Sequence, residues 1–229
     1  MYLNMKKEIV LKVIALIANL FLFVNSVVIC INAPLNGYRF GDIVVPGGDP
    51  SYFRYFTNLS NLYMGIVSFA ITIYLIKNFK KDFYLPKWLR IVELSGVTSL
   101  MLTFFTVLLF LAPTHAMNGN NYFDMYLNDM FFFHFFNPLV AFFIFLVLLK
   151  GDKLNYKEAL FGMIPMVLYA IFYTIFVLTG GDDFYGFTFG GKFYLLPIVI
   201  PVMLLVTYLI SFLSSFLYNV IYKNKQEHN

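Results

Sequence analysis

The chain is short of charge and holds one cysteine. Of its 229 residues only 12% are charged, where a water-soluble domain carries about 25%. That shortage excludes a disordered segment, a nucleic-acid binder and an ordinary cytosolic enzyme. The lone Cys30 rules out an internal disulfide and a multi-cysteine zinc site, and it reads as a small packing residue in the first apolar run. There is no H-E-x-x-H, no histidine pair at helical spacing and no glycine-rich phosphate loop following a strand; GGDDFYGFTFGG lacks any βαβ context. No metal, cofactor or nucleic-acid partner is expected. What the chain has instead is apolar bulk: 60% of residues are hydrophobic and 21% aromatic, and mean hydropathy is +0.76. Membrane lipid is thus the expected surroundings and partner.

A helix needs about 20 apolar residues to cross the hydrocarbon core. Six runs qualify, at about Val10–Ile31, Phe53–Lys77, Ile91–Ala112, Asp129–Leu149, Ala159–Thr179 and Leu196–Tyr222. The expected fold is therefore all-α, one six-helix transmembrane domain over residues 1–229, multi-pass in the cell membrane. Lys6 and Lys7 precede the first run as in a signal peptide, but the apolar stretch is too long and no A-x-A site follows, so it reads as a retained helix. The loop from Asn32 to Tyr52, with Pro34, Gly37, Gly41, Pro46, Gly47, Gly48 and Pro50, is rich in turn residues. Pro138, Pro165 and Pro201 fall inside spans, where neighbours must re-satisfy the carbonyls they free. Thirteen of the sixteen lysines and arginines, including Lys80, Lys81, Lys223 and Lys225, fall on one side of the membrane; Arg39, Arg54 and Lys192 fall on the other. This bias predicts cytoplasmic termini and three long outward loops.

Polar residues recur at steps of three and four within the spans. Span 2 has Arg54, Asn58, Asn61, Gly65, Ser68 and Thr72, with Thr57 beside them; span 3 has Glu93, Gly96, Ser99, Thr103 and Thr106; span 4 has His134, Asn137 and Ala141; span 5 has Glu158, Gly162, Pro165, Tyr169 and Tyr173. Interhelical packing by small and polar side chains accounts for most of them. Glu93, one turn from Arg90, reads as a structural ion pair, and Glu158 as a carboxylate at a helix N-terminus. His134 stands apart as the one histidine within a span; His115 lies in a loop and His228 in the tail. An ionisable side chain in the membrane marks a functional site by default, although a neutral ring bonded to Asn137 or a carbonyl is the plainer alternative. Thr57 has a plain alternative too, a hydroxyl bonded back to the carbonyl four residues earlier. Both residues lie within about 10 Å of the outer boundary at 1.5 Å per residue. If spans 2 and 4 are neighbours, a hydroxyl and an imidazole meet there, the least that a nucleophile and its base require.

The segments RYFTNLSNL in span 2, HFFNPLVAFFIF in span 4, and PMVLYAIFYTIFVLTGG with FYGFTFG around span 5 resemble the androgen-induced membrane protein family and its bacterial six-span relatives. The resemblance covers most of the chain in order. Animal members of that family are integral-membrane hydrolases of fatty acid esters of hydroxy fatty acids, using a threonine in span 2 and a histidine in span 4. The resemblance implies that Thr57 and His134 are the catalytic pair and that a lipid ester is the substrate. It departs after span 5, where Phe184-Tyr185-Gly186-Phe187 replaces a W-x-Y-P-F stretch, which makes Tyr185 a candidate at the substrate end.

The expected chemistry is ester hydrolysis, with His134 taking the proton from Thr57 as it attacks and water releasing an acyl-threonine. Asn58 or Asn61 is expected to donate to the oxyanion, Asn137 to orient the ring, and Arg54 to hold a carboxylate or headgroup. Two alternatives use the same sequence: acyl transfer to an alcohol by the same residues, and a non-catalytic small transporter or lipid-binding scaffold.

Overall fold

The computed structural model describes residues 2–40, 43–48, 50–80, 84–188 and 190–227. Gly41, Lys81 and His228, used in the sequence reading, lie outside the described residues, as do the side chains of Lys6, Lys7, Arg39, Lys223 and Lys225. Among the described residues, six helices are long and apolar enough to cross a membrane: span 1, Glu8–Asn36; span 2, Phe56–Lys77; span 3, Lys87–Met117; span 4, Asp129–Leu148; span 5, Tyr156–Leu178; and span 6, Phe193–Tyr222. The protein is an all-α multi-pass membrane protein. Span 3 is the central post, packed by spans 2, 4, 5 and 6, and 61% of its most apolar stretch is buried against 17% for span 6. Span 1 closes the bundle against spans 2 and 4.

Close approach of the helices depends on glycine where the sequence stripes put it. A Cβ at Gly65 would lie 2.9 Å from Ser26 Cβ on span 1, one at Gly96 2.6 Å from Met64 Sδ on span 2, and one at Gly162 2.1 Å from Ser211 Oγ on span 6. Short strands tie the loops. β1, Tyr38–Phe40, pairs antiparallel with β2, Ile43–Val45. β3, Tyr84–Leu85, pairs parallel with β4, Lys150–Gly151, at the lysine-rich end.

At that end lies an ion pair that water does not reach. Arg90 and Glu93 are both 0% exposed, with Arg90 Nη1 2.5 Å from Glu93 Oε2. The guanidinium is held between the rings of Phe145 and Tyr218, 4.0 and 3.9 Å from their centroids, and also donates to the Phe145 carbonyl. The Tyr218 hydroxyl donates to the Gly151 carbonyl at 2.7 Å and accepts from the Gly151 N–H at 2.8 Å. One cation thus joins spans 3, 4 and 6 to the loop between spans 4 and 5. Removing one partner of such a pair costs about 3–5 kcal/mol, because the other charge is left buried. Span 5 starts with a capping box: Asn155 Oδ1 accepts from the Lys157 and Glu158 N–H groups, and Glu158 Oε2 accepts from the Asn155 N–H at 2.6 Å.

Spans 3 and 4 each contain a π-helical turn followed by proline. Over Phe132–Phe136 the bonds run five residues back, and the Asn137 N–H donates to the Phe132 carbonyl. The next donor in that ladder belongs to Pro138, which has none. The carbonyl it leaves free, Phe133, accepts instead from Asn61 Nδ2 on span 2 at 3.3 Å. Span 3 repeats the arrangement over Val107–Leu111, where the Ala112 N–H donates to Val107 and Pro113 follows. The Leu108 carbonyl then accepts from the Tyr122 hydroxyl at 3.0 Å. Neighbours re-satisfy the carbonyls that these prolines free. Tyr122→Phe leaves the Leu108 carbonyl unbonded and is expected to lower stability by about 1–2 kcal/mol. Adding Pro113→Ala, which restores an N–H, is expected to recover most of that loss. Thermal unfolding of the four proteins of this cycle in detergent micelles measures both effects.

Candidate active site

The site lies at the end of the bundle that carries the long loops. Span 2 begins later than its apolar pattern predicts. Tyr55 is extended, with φ −83° and ψ 132°, so Pro50–Arg54 forms a separate 3-10 turn and Arg54 leaves the span 2 stripe. Thr57 then falls in the first turn of the helix. Tyr55 gives no side-chain cap; the Phe56 N–H donates instead to the Tyr185 hydroxyl from the loop after span 5, at 2.8 Å.

The Thr57 hydroxyl makes no hydrogen bond within the described residues, so the expected bond back to its own helix is absent. Thr72, Ser99, Thr174, Thr207 and Ser214 all make that bond. Thr57 is half-buried and lines a small cavity of about 30 Å³ with Thr103, Thr106, Tyr169 and Tyr185. That is room for a single water molecule.

His134 sits in the π turn of span 4 and is 4% exposed. Its Nδ1 lies 2.5 Å from the Met125 carbonyl oxygen. A carbonyl only accepts, so Nδ1 carries the proton and Nε2 keeps its lone pair. No protein group among the described residues bonds Nε2. Met125 is brought there by the turn Tyr122–Tyr126 and by Asn128, whose φ of 55° reverses the chain before span 4.

Spans 2 and 4 are neighbours at this level, and Asn61 joins them. Its Nδ2 donates to the Thr57 carbonyl at 2.9 Å and to the Phe133 carbonyl at 3.3 Å, while its Oδ1 accepts from Asn137 Nδ2 at 3.0 Å. Asn137 Oδ1 accepts in turn from Asn25 Nδ2 on span 1 at 2.8 Å. The chain thus brings the backbones of Thr57 and His134 to either side of one amide, but no hydrogen bond joins their side chains.

Two expected roles are corrected. Asn137 does not hold the imidazole; the Met125 carbonyl does, because the π turn shifts the helical phase and takes residues three apart off a common face. Asn61 has no N–H left for an oxyanion, since both go to carbonyls. Asn58 Nδ2 donates to the Tyr52 carbonyl at 2.7 Å, which anchors the 3-10 turn to span 2.

The loop after span 5 roofs the site. Asp183 accepts from the Phe187 and Thr188 N–H groups at 2.9 and 2.7 Å, and from the Thr188 and Tyr173 hydroxyls. Phe184 and Phe187 pack edge-on, and Tyr185 at a tilt, against Tyr173 from span 5. Burial pushes the Tyr185 phenol up to about 12, so it keeps its proton at neutral pH; the Phe56 N–H and Tyr169 hydroxyl limit the rise. Arg54 lies across the roof, 3.7 Å from Asp182 and 4.8 Å from the centroid of Phe184. Among the described residues, no three His, Cys, Asp or Glu side chains converge as a metal site requires. Comparison with protein-family profiles, curated proteins and solved structures finds no match to this chain.

Burial raises the Asp183 carboxyl, but the bonds from Thr188, Tyr173 and Phe187 outweigh it and hold the group below the usual carboxylate range. An unfolded Asp titrates at about 3.9. The roof's stabilisation by Asp183 is therefore complete above about pH 4 and fades as pH falls through the lower, folded value. Asp183→Asn is expected to speed exchange of the Phe187 and Thr188 amides at neutral pH and to remove the acid-induced loss of protection. Hydrogen exchange at neutral and acid pH, corrected for intrinsic rates, measures both.

Proposed function

We propose that this membrane protein hydrolyses fatty acyl esters, with Thr57 as nucleophile and His134 as general base. The observation that carries this reading is the state of the imidazole. The Met125 carbonyl accepts a hydrogen bond from Nδ1–H and so leaves Nε2 as an unengaged base, the orienting role a carboxylate plays for histidine in a hydrolase triad. The uncommitted Thr57 hydroxyl supports it, as does the Asn61 bridge between the two backbones.

In this reading Nε2, directly or through one water, takes the Thr57 proton as Oγ1 attacks the ester carbonyl carbon. The tetrahedral adduct collapses, the bond to the alcohol oxygen breaks, and the imidazolium returns its proton to that oxygen. Water, deprotonated by His134, then attacks the acyl-threonine, releasing the acid and restoring the hydroxyl. With Asn61 committed to two carbonyls, the proposed oxyanion donor is the Tyr185 hydroxyl. It lines the same cavity as Thr57 and accepts from the Phe56 N–H through its oxygen. Acyl transfer to an alcohol uses the same atoms, and product analysis with and without an added alcohol separates it from hydrolysis.

The test uses purified protein, a lipid-like fluorophosphonate and a chromogenic fatty acyl ester. Thr57→Ala is expected to abolish labelling and turnover. His134→Ala is expected to lower turnover by about 10²–10⁴-fold, and Tyr185→Phe by about 10²–10³-fold. Equal labelling of wild type, Thr57→Ala and His134→Ala, or no labelling of the wild type, rules the pair out.

A further inference from the structure

A groove of about 360 Å³ runs between spans 2 and 5 on the outside of the bundle. Phe56, Leu59 and Tyr63 form one wall, and Pro165, Leu168 and Phe172 form the other. From Phe56 to Tyr63 it runs roughly 10 Å along span 2 at 1.5 Å per residue, and it lies wholly within the membrane-crossing lengths of both helices. The Ser60 and Tyr63 hydroxyls at its edge are already bonded, to Thr103 at 3.2 Å and to Ser95 at 2.7 Å. The groove therefore asks nothing polar of its occupant. At the loop end it stops at the rings of Phe56 and Tyr169, whose centroids are 5.0 Å apart. The same two residues line the Thr57 cavity on their other side.

We infer that this groove is the acyl-chain site, filled sideways from the bilayer by one hydrocarbon chain with its polar end at Phe56 and Tyr169. This rests on the hydrolase reading for its purpose but not for its test. The surroundings fix the occupant's chemistry, since hydrocarbon is what borders spans 2 and 5 there. The two ends of the groove fix its direction. The end at Tyr63 and Ile164 continues along apolar helix. Arg54 stands two residues before Phe56 at the other end, facing Asp182, whose side chain is 85% exposed and weakly held in water. A carboxylate at the head of the chain replaces that partner at little cost. A slot walled by two helices takes one chain, which favours a single-chain acyl lipid over a two-chain phospholipid. The Phe56–Tyr169 ring pair then stands between the head of the chain and the Thr57 hydroxyl, so ring rotation admits the carbonyl.

The test uses the full chain in phosphatidylcholine vesicles and a palmitic acid bearing a mid-chain diazirine and a terminal alkyne. Photolabelling is expected to concentrate on peptides holding residues 56–63 and 164–172, above the outward face of span 6, and excess palmitic acid is expected to compete it away. Leu168, 63% exposed, tolerates change, and Leu168→Trp is expected to drop labelling of the groove to the level of span 6. Thr57→Ala and His134→Ala are expected to label as wild type does. Failure of those variants to lose turnover therefore counts against the hydrolase reading alone. Even labelling over all outward faces, or labelling that excess palmitic acid does not reduce, overturns the groove.

Discussion

In hydrocarbon, no water bonds a backbone group that a helix leaves unsatisfied, and much of this bundle follows from that constraint. Two prolines interrupt the ladders of spans 3 and 4, and each falls after a π turn, so the orphaned carbonyl lies five residues back rather than four. Leu108 and Phe133 are those carbonyls, and each is reached by a side chain from elsewhere in the fold. Tyr122 reaches back from the loop beyond span 3, and Asn61 reaches across from span 2. The positions of that loop and of span 2 relative to span 4 are therefore fixed by the same requirement. A π turn costs hydrogen-bond geometry and is frequent where function needs a side chain re-aimed; here the re-aimed side chain is His134.

The candidate site is a by-product of these repairs. Asn61 satisfies Phe133 and by doing so sets Thr57 beside span 4. Tyr122 satisfies Leu108 and by doing so fixes the turn that carries the Met125 carbonyl to the imidazole. The tautomer of His134 thus follows from backbone accounting, with no carboxylate needed. An acidic partner at this depth would itself need desolvation, and a carbonyl performs the same orienting task as a neutral group.

Much of this was legible in the sequence, and the failures have physical causes. The six runs of apolar residues appear as helices because length and hydropathy decide membrane crossing with little help from context. The stripes containing Gly65 and Gly162 mark real close approaches to Ser26 and Ser211, where a Cβ has no room, while at Gly96 the neighbour is the thioether of Met64. Arg90 and Glu93 at i and i+3 form the expected pair. Sequence periodicity erred where the helix is not an α-helix. Asn137 and His134 are three apart and share a face at 3.6 residues per turn, but not across a π turn. Arg54 matched the span 2 stripe, yet the extended Tyr55 between them detaches it. Of the two π turns, only the one in span 4 left a trace, the mid-span Pro138, which announces a freed carbonyl without saying which one; Pro113 reads as the end of span 3, which in fact runs on to Met117. Tyr185 is marked only by the departure from the family's W-x-Y-P-F stretch; its bond to Phe56 crosses 129 residues, beyond the reach of local periodicity.

The two ends of the bundle are built on opposite principles. At the lysine-rich end a sealed cation between two rings locks spans 3, 4 and 6 to a loop, and opening it exposes Glu93 and Arg90 together to solvent or strands one of them. At the other end the roof is held by groups nearer to water, Asp183 and the half-exposed Arg54 among them. The helix carrying Thr57 has no side-chain cap of its own and borrows the Tyr185 hydroxyl, which joins the start of span 2 to the roof beside the Arg54–Asp182 pair. Lifting the roof frees the Phe56 N–H and removes the phenol from the Thr57 cavity in the same step. One end of the bundle is thus locked by a buried charge, while the other, where Thr57, His134 and the mouth of the groove lie, is held by hydrogen bonds and ring contacts nearer to water.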